Sequence, residues 1–270
     1  MWYNAKSEME IQAPIYTNFQ TVSSAMWRPI AVGCGQITAR QNGLQLAVGG
    51  ATRHHYSDAQ LDDVYGPGRG LRWQPPVRLS LRARFSHRAE QLRGTAGFGF
   101  WNAPLMPHAL PRLPRAAWFF FMSLPGNMPL ALGTAGHGWK AAVIDATTPQ
   151  ALVWLPLAPI VVPLLNLPPL YAPLWRRVQA AVQVQEQALP DVDMAQWQIY
   201  TIDWQPHGVT CLVNGQPVLH GPAPHGPMCC IIWMDNQYAI IEPRGRFGWG
   251  LLDIPAAQWL AIDWLILEPY

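Results

Sequence analysis

The chain has 270 residues, half of them hydrophobic and 13% charged, with a formal net charge of +2. A charged fraction about half the usual one, with no basic cluster interleaved with aromatics, excludes nucleic acid as the main partner. Such a chain either buries an unusual share of itself or offers apolar surface to a small molecule, a lipid or a partner. Fourteen Trp and 27 Pro sharpen this, because Trp is hard to hide completely and several are expected to line a groove or cavity.

Residues Met1–Pro14 show no charged n-region followed by an apolar run, so no secretory signal is read. Cys34, Cys211, Cys229 and Cys230 lack metal-ligand spacing and are expected as reduced thiols, which points to a cytoplasmic location. Up to about Met26 the chain is expected to form an extended arm or first strand. Gln36–Arg40 and Leu44–Val48, joined by Gln41-Asn42-Gly43, read as a hairpin. The polar stretch Arg53–Tyr65, followed by Gly66-Pro67-Gly68, reads as a loop at a pocket mouth. It holds a cation through Asp58, Asp62 and Asp63, or its acids pair with Arg53, Arg69 and Arg72. The spacing fits no complete calcium loop.

Val77–Phe85 alternates apolar with polar or basic residues, a half-exposed strand with Arg78, Arg82 and Arg84 in water. Gly97–Asn102 is a strand whose glycines leave room above them. After a Pro-rich connection from Ala103 to Pro114, Ala116–Ser123 is apolar on both faces, as a central strand covered on both sides should be. Gly138–Ile144 is the next strand. From Ala146 through Trp175 there is no charged residue, but seven prolines interrupt the stretch, and each interior proline costs a helix roughly 3 kcal/mol. A straight transmembrane helix is therefore not expected. The prediction is an insertion around 146–190 of short helices broken by proline, continuing into Leu174–Ala188 as a better helix. It acts as a lid or core element, or rests on a membrane or partner subunit through 146–175, where the basic residues reduce to Arg176 and Arg177.

Trp197–Leu219 is a β-meander. Gln198–Trp204 places Tyr200, Ile202 and Trp204 on one face and Thr201 and Asp203 on the other. Gln205-Pro206-His207-Gly208 turns the chain into Val209–Val213, and Asn214-Gly215, both tolerant of positive φ, turns it again into Pro217–Leu219. Met228–Tyr238 is a strand ending in polar residues, Arg244–Gly250 a glycine-spaced aromatic segment, and Gln258–Leu267 a closing strand that pairs near the N-terminal arm. His137, His207, His220 and His225 sit beside Gly or Pro as turn residues. No Ser-His-Asp order, P-loop or dinucleotide fingerprint appears, so no cofactor is expected.

The segment WQIYTIDWQPHGVTCLVNGQPV resembles the strand–turn–strand of family-16 glycoside hydrolases (laminarinases and lichenases) within the concanavalin A-like superfamily, where it runs roughly H-x-Y-x-x-x-W-x-P-x-x-I-x-F-x-V-D-G. QWLAIDWLILEP is similar to that family's last strand, and LRARFSHRAEQLRGTAGFGFWNAP resembles its E-x-R-x-K…G-x-x-x-A-x-W region. The resemblance covers roughly Val77–Trp139 and Trp197–Glu268. It implies one all-β domain over 1–270, a two-sheet jelly-roll sandwich with a concave ligand face. The family's catalytic strand carries E-x-D-x-E or E-x-D-x-x-E, whereas the matching strand here, AAWFFFMS, has no carboxylate. A retaining glycosidase needs two carboxyl groups about 5–5.5 Å apart, so hydrolysis by the family mechanism is not expected.

Aromatic residues in place of acids favour an apolar or aromatic-compatible small molecule, or a sugar face stacked on rings. The expected walls are Trp101, Asn102, Trp118, Phe120 and Trp233, with Asn236 and Tyr238 following. Chemistry, where present, falls to Asp235, with Glu242 second, because an acid beside Trp in a dry pocket has its pKa raised and serves as a general acid. That supports a non-hydrolytic isomerisation or cyclisation. The alternative is that Asp235 and Asn236 merely close the strand end against Gly245–Gly250. Two other functions stay open: an interaction module docking on a membrane or subunit through the uncharged insertion, and a carbohydrate-binding or glycoside-hydrolase-like protein.

Overall fold

A computed structural model describes residues 14–19, 26–41, 43–64, 70–103 and 112–270. The predicted arm before residue 14, Asn42 of the first hairpin turn, the Tyr65–Arg69 segment and most of the Pro-rich connection lie outside them. In chain order the strands are β1 (Ile15–Thr17), β2 (Arg28–Val32), β3 (Gly35–Arg40), β4 (Gly43–Val48), β5 (Asp58–Asp62), β6 (Val77–Phe85), β7 (Thr95–Trp101), β8 (Arg115–Met122) and β9 (Gly138–Asp145). Helices α1 (Pro149–Trp154), α2 (Ala158–Leu164) and α3 (Pro168–Ala181) follow. The chain closes with β10 (Gln185–Ala188), β11 (Gln198–Gln205), β12 (Gly208–Val213), β13 (Gln216–Gly221), β14 (Cys229–Asp235), β15 (Gln237–Ile241), β16 (Phe247–Leu251) and β17 (Gln258–Pro269).

Two antiparallel sheets stack on each other. The first runs β13-β12-β11-β6-β17-β4-β3, with β1 also paired to β17; the second runs β10-β9-β8-β7-β14-β5-β2. Period-2 patterning decides which face each strand buries. On β6, Val77, Leu79, Leu81, Ala83 and Phe85 are buried in the inter-sheet core. The alternate Arg78 and Arg82 face outward, paired with Asp203 and Asp263 at 2.8 and 2.6 Å. Arg84 lies over the rings of Trp197 and Trp259. The core is aromatic at its centre, where Phe98, Phe119, Trp139 and Tyr200 meet with centroids 5.0–6.1 Å apart. Such ring pairs add about 0.5–1.5 kcal/mol each beyond the area they bury. The meander forms as its pattern predicts, with Asn214 and Gly215 both at positive φ in the β12–β13 turn.

Three local expectations are corrected. Arg53–Tyr65 is not a single loop: Asp58–Asp62 is a fully buried strand between β14 and β2. Its period-2 order sends Ala59 and Leu61 into the core and leaves Asp58, Gln60 and Asp62 on the opposite face. Second, of the two readings for Asp58, Asp62 and Asp63, ion pairing holds for Asp63 with Arg72. Arg53 pairs instead with Asp253, Arg69 lies outside the described residues, and no cluster able to hold a metal occurs among the described residues. Asp62 is gripped by the Arg28 guanidinium at 2.9 and 2.6 Å, while Asp63 accepts from the Trp73 indole, the Cys230 amide and Arg72. Third, the expected helix Leu174–Ala188 stops at Ala181. Gln183 adopts a positive φ of 49°, and Gln185–Ala188 becomes an edge strand pairing with β9. The insertion is otherwise divided into short helices as predicted, though Pro163 and Pro173 lie inside α2 and α3 rather than ending them, and no helix among the described residues is long and apolar enough to cross a membrane.

Candidate functional site

The outer face of the second sheet, turned away from the core, carries the candidate site. Alternation assigns it Thr95, Gly97, Gly99 and Trp101 from β7, Trp118, Phe120 and Met122 from β8, and Trp233 and Asp235 from β14. The glycines are what let neighbouring groups approach the sheet closely. A Cβ on Gly97 would meet the Phe119 carbonyl at 2.4 Å and the Trp233 ring at 2.6 Å, and one on Gly99 would meet the Ala117 carbonyl at 2.4 Å and Trp118 Cα at 2.6 Å. The room above Gly97 is therefore occupied by the Trp233 indole, and that above Gly99 by the β8 backbone and Trp118 Cβ. Gly97→Ala is expected to cost about 1–3 kcal/mol as an overpacked site; an unchanged denaturant midpoint would show that Trp233 yields freely.

Part of this face is roofed. Residues Met128 and Leu130, together with Ala239 of β15, pack on Phe120, Met122 and Ala142 to form a second small apolar cluster. The β15–β16 hairpin is tied to that roof by Asn127, whose amide donates to the Ala239 carbonyl at 2.9 Å and whose carbonyl accepts from Ile241 at 2.9 Å. What stays open is a cavity of about 290 Å³ lined by Trp101, Trp118, Phe120, Met122, Met128 and Trp233, with Tyr56, Gln60, Thr95, Asp235 and Gln237 supplying its polar groups. Trp118 is the hub, its ring 5.8 Å from Trp101 and 5.7 Å from Trp233 between centroids.

A hydrogen-bond chain runs along one wall. The Trp233 indole donates to Thr95 Oγ1 at 3.0 Å, which donates to Asp235 Oδ1 at 2.9 Å. Asp235 also accepts from the Thr95 amide and from both the amide and side chain of Gln237, and the Trp249 indole donates to Gln237 Oε1. Burial nonetheless outweighs these donors and pushes the Asp235 carboxyl up to about 6. Directly opposite in register on β5 stands Asp58, 1% exposed. Neither of its carboxylate oxygens meets a hydrogen-bond partner in good geometry. Desolvation first, and the Asp235 charge second, push Asp58 up to about 8, against a smaller lowering by the Tyr56 hydroxyl. The two carboxyl groups stand opposite each other on one face, Asp235 at the cavity and Asp58 buried beside it, and their pKa values are pushed apart.

Of the residues singled out from sequence, Trp101, Trp118, Phe120, Trp233 and Asp235 come together in the cavity. The rest do not. Asn102 holds the two ends of the β7–β8 connection, donating to the Leu113 carbonyl and accepting from the Arg115 amide. Asn236 is completely buried and donates to the Thr52, His55 and Leu252 carbonyls while accepting from the Ser57 amide. Tyr238 packs against Gly250 within the hairpin. Glu242, at the far end of the hairpin, accepts from Asn127 at 2.8 Å. Sequence reasoning missed Tyr56, Gln60, Thr95 and Gln237 and did not join Asp58 to Asp235. The one signal on offer was the D-A-Q-L-D alternation, which marks a strand with a polar face.

No family model and no curated protein sequence matches the chain. Solved structures do. A prokaryotic beta-1,3-1,4-glucanase (lichenase) derived from a mouse hindgut metagenome aligns with a TM-score of 0.52 at 14% identity, covering 96% of this chain and 100% of that one. A Bacillus licheniformis beta-glucanase aligns at 0.53 and 9% identity over 96% and 99% of the two chains. A glycoside hydrolase family 16 endo-glucanase from Bacteroides ovatus aligns at 0.53 and 11% identity over 94% and 99%. The chain thus has the glucanase-like, concanavalin A-type jelly-roll fold that its meander resembles. On β8 the positions facing the site are Ala116, Trp118, Phe120 and Met122, with no acid among them.

Proposed function

We propose that this glucanase-like sandwich binds carbohydrate, and that its cavity takes one sugar ring, such as the terminal residue of a glycan, against the Trp101–Trp118–Trp233 wall. The observation that carries the reading is that wall itself, with the Trp118 indole against both Trp101 and Trp233 in a cavity that five polar side chains also line. The C–H face of a sugar stacks on an aromatic ring, and its hydroxyls need hydrogen-bonding groups of the kind that Gln60, Gln237 and Tyr56 supply. At about 290 Å³ the cavity stands at the small end of ligand pockets, roughly 300–1,000 Å³. The roof of Met128, Leu130 and Ala239 shortens what would otherwise be a long groove, so one ring fits better than a chain of them.

Acid–base chemistry on such a ligand falls to Asp235, the carboxyl in the cavity lining, with Asp58 buried opposite it on β5 and no carboxylate on β8. Trp118→Ala is expected to weaken binding of the best saccharide in a mono- and disaccharide panel by about tenfold or more, as for a central aromatic anchor, measured by calorimetry. A panel with no binder sinks the carbohydrate reading.

A second reading is favoured by the lining on the other side of the same cavity, where Met122, Met128, Ala103 and Ala239 present only carbon and sulfur. There the occupant is an apolar ring compound, with Asp235 serving an isomerisation or cyclisation. Native mass spectrometry of the purified protein separates the two: a co-purifying apolar molecule, displaced by no sugar, supports the second.

A further inference from the structure

The helical insertion and the β15–β16 hairpin join into one apolar surface away from the cavity. Val162 packs against Gly245, the Asn166 side chain donates to the Arg244 carbonyl at 3.1 Å, and the Arg244 guanidinium sits 4.5 Å over the Tyr171 ring. Large apolar side chains stand out from both elements. Val153 and Ile160 on the helices are 64% and 63% exposed, and Phe247 on the hairpin 72%; Leu152 and Leu167 are exposed as well. Monomeric proteins rarely show so many large apolar groups in one contiguous patch unless something covers it.

Charge identifies the cover. No charged residue occurs from Ala146 through Trp175, and the first ones after it are Arg176 and Arg177. Both are exposed, as are Arg244 and Arg246 on the hairpin. The acid close by, Glu242, is held by Asn127 and Arg246. The patch is therefore an uncharged apolar centre with a cationic margin, the pattern of a segment that lies in the interface of an anionic bilayer. A symmetric contact with a second copy would set this arginine margin against itself. Beneath the helices a groove of about 310 Å³, reached between Val161, Trp175, Ile144 and Phe247, is apolar except for Glu242, which suits a lipid tail better than a polar protein surface. The prolines that exclude a spanning helix do not hinder α1 to α3 from lying flat.

We propose that the helical insertion and the hairpin tip form a docking surface for an anionic lipid membrane, holding the sandwich at the bilayer surface. The full chain is expected to co-float with phosphatidylcholine vesicles containing about 30% phosphatidylserine and to float much less with phosphatidylcholine alone. Arg176→Gln and Arg177→Gln should each weaken flotation about fivefold. Val153→Asp combined with Ile160→Asp should lower it at least tenfold while leaving the thermal midpoint unchanged, because both side chains are already in water. Absence of flotation on the anionic vesicles overturns the proposal. So does a dimer by light scattering that Ile160→Asp dissociates, since the face is then covered by a second copy. Flotation unaffected by the charge of the vesicles or by either arginine overturns it as well.

Discussion

Lys140→Met is expected to lower the thermal midpoint by about 6–20 °C. Lys140 stands on β9, facing the site side of the sheet, with no exposure at all. Its ammonium donates to Glu186 Oε1 at 2.6 Å and to the Ala135 and Met128 carbonyls at 2.9 and 3.3 Å. Glu186, from edge strand β10, accepts in turn from the Leu130 and Ala131 amides at 3.0 and 2.9 Å. One buried ion pair thus pins both ends of the loop that roofs the site. Desolvation lowers the Lys140 pKa, opposed by the Glu186 charge. Removing the ammonium leaves Glu186 as an uncompensated buried charge and two carbonyls without a donor, which costs about 3–5 kcal/mol. In a chain of this size that corresponds to about 2–4 °C per kcal/mol. Adding Glu186→Gln to Lys140→Met should recover part of the loss, because the penalty resides in the unpaired charge rather than in a missing attraction. A single variant that melts with the wild type would show that water reaches the pair.

The frame was legible because its information is local. The N-G turn, the alternation of Tyr200, Ile202 and Trp204, and the arginines at every second residue of β6 each dictate a strand and its buried face without reference to distant residues. The apolar half of the site was legible for the same reason, since period 2 on β8 and β14 puts Trp118 beside Phe120 and Trp233 beside Asp235. What stayed hidden depends on pairing between strands far apart in sequence. Asp58 meets Asp235 only because β5 pairs with β14, and a polar strand of five residues looks like a loop until its neighbours are known. Asn102, Asn236 and Glu242 were misleading for the converse reason. A polar residue at a strand end near aromatics can serve a ligand or a turn, and the choice rests on which carbonyls fold back toward it. The end of α3 was similarly open: Val182 and Val184 are poor helix residues, but only the free edge of β9 decides that Gln185–Ala188 becomes a strand.

The Asp58 carboxyl should make the protein less stable as pH rises through neutrality, and Asp58→Asn should abolish much of that slope. An unfolded chain releases the Asp58 proton near the ordinary value of 3.8, whereas the folded protein holds it to about 8. Between those values the native state binds more protons than the unfolded one, so the stability present at low pH is lost progressively as pH rises and is fully lost above the folded value. Each unit is about 1.4 kcal/mol, and a displacement of about four units therefore amounts to several kcal/mol by order of magnitude. Asp235, held up to about 6 by burial, adds a smaller contribution of the same sign over a lower window. Thermal midpoints at about pH 5, 7 and 9 should fall for the wild type through this range, and fall much less for Asp58→Asn, which should be the more stable of the two at the alkaline end. Asp235→Asn would leave the loss attributable to Asp58 at the same or a higher pH only if the Asp235 charge did not raise the Asp58 pKa. Because that charge raises the Asp58 pKa, the expected result is the opposite: the Asp58 proton leaves at lower pH and the remaining slope is confined to more acidic conditions. A wild-type midpoint that rises from pH 5 to 9 would mean that Asp58 does not hold its proton in the fold.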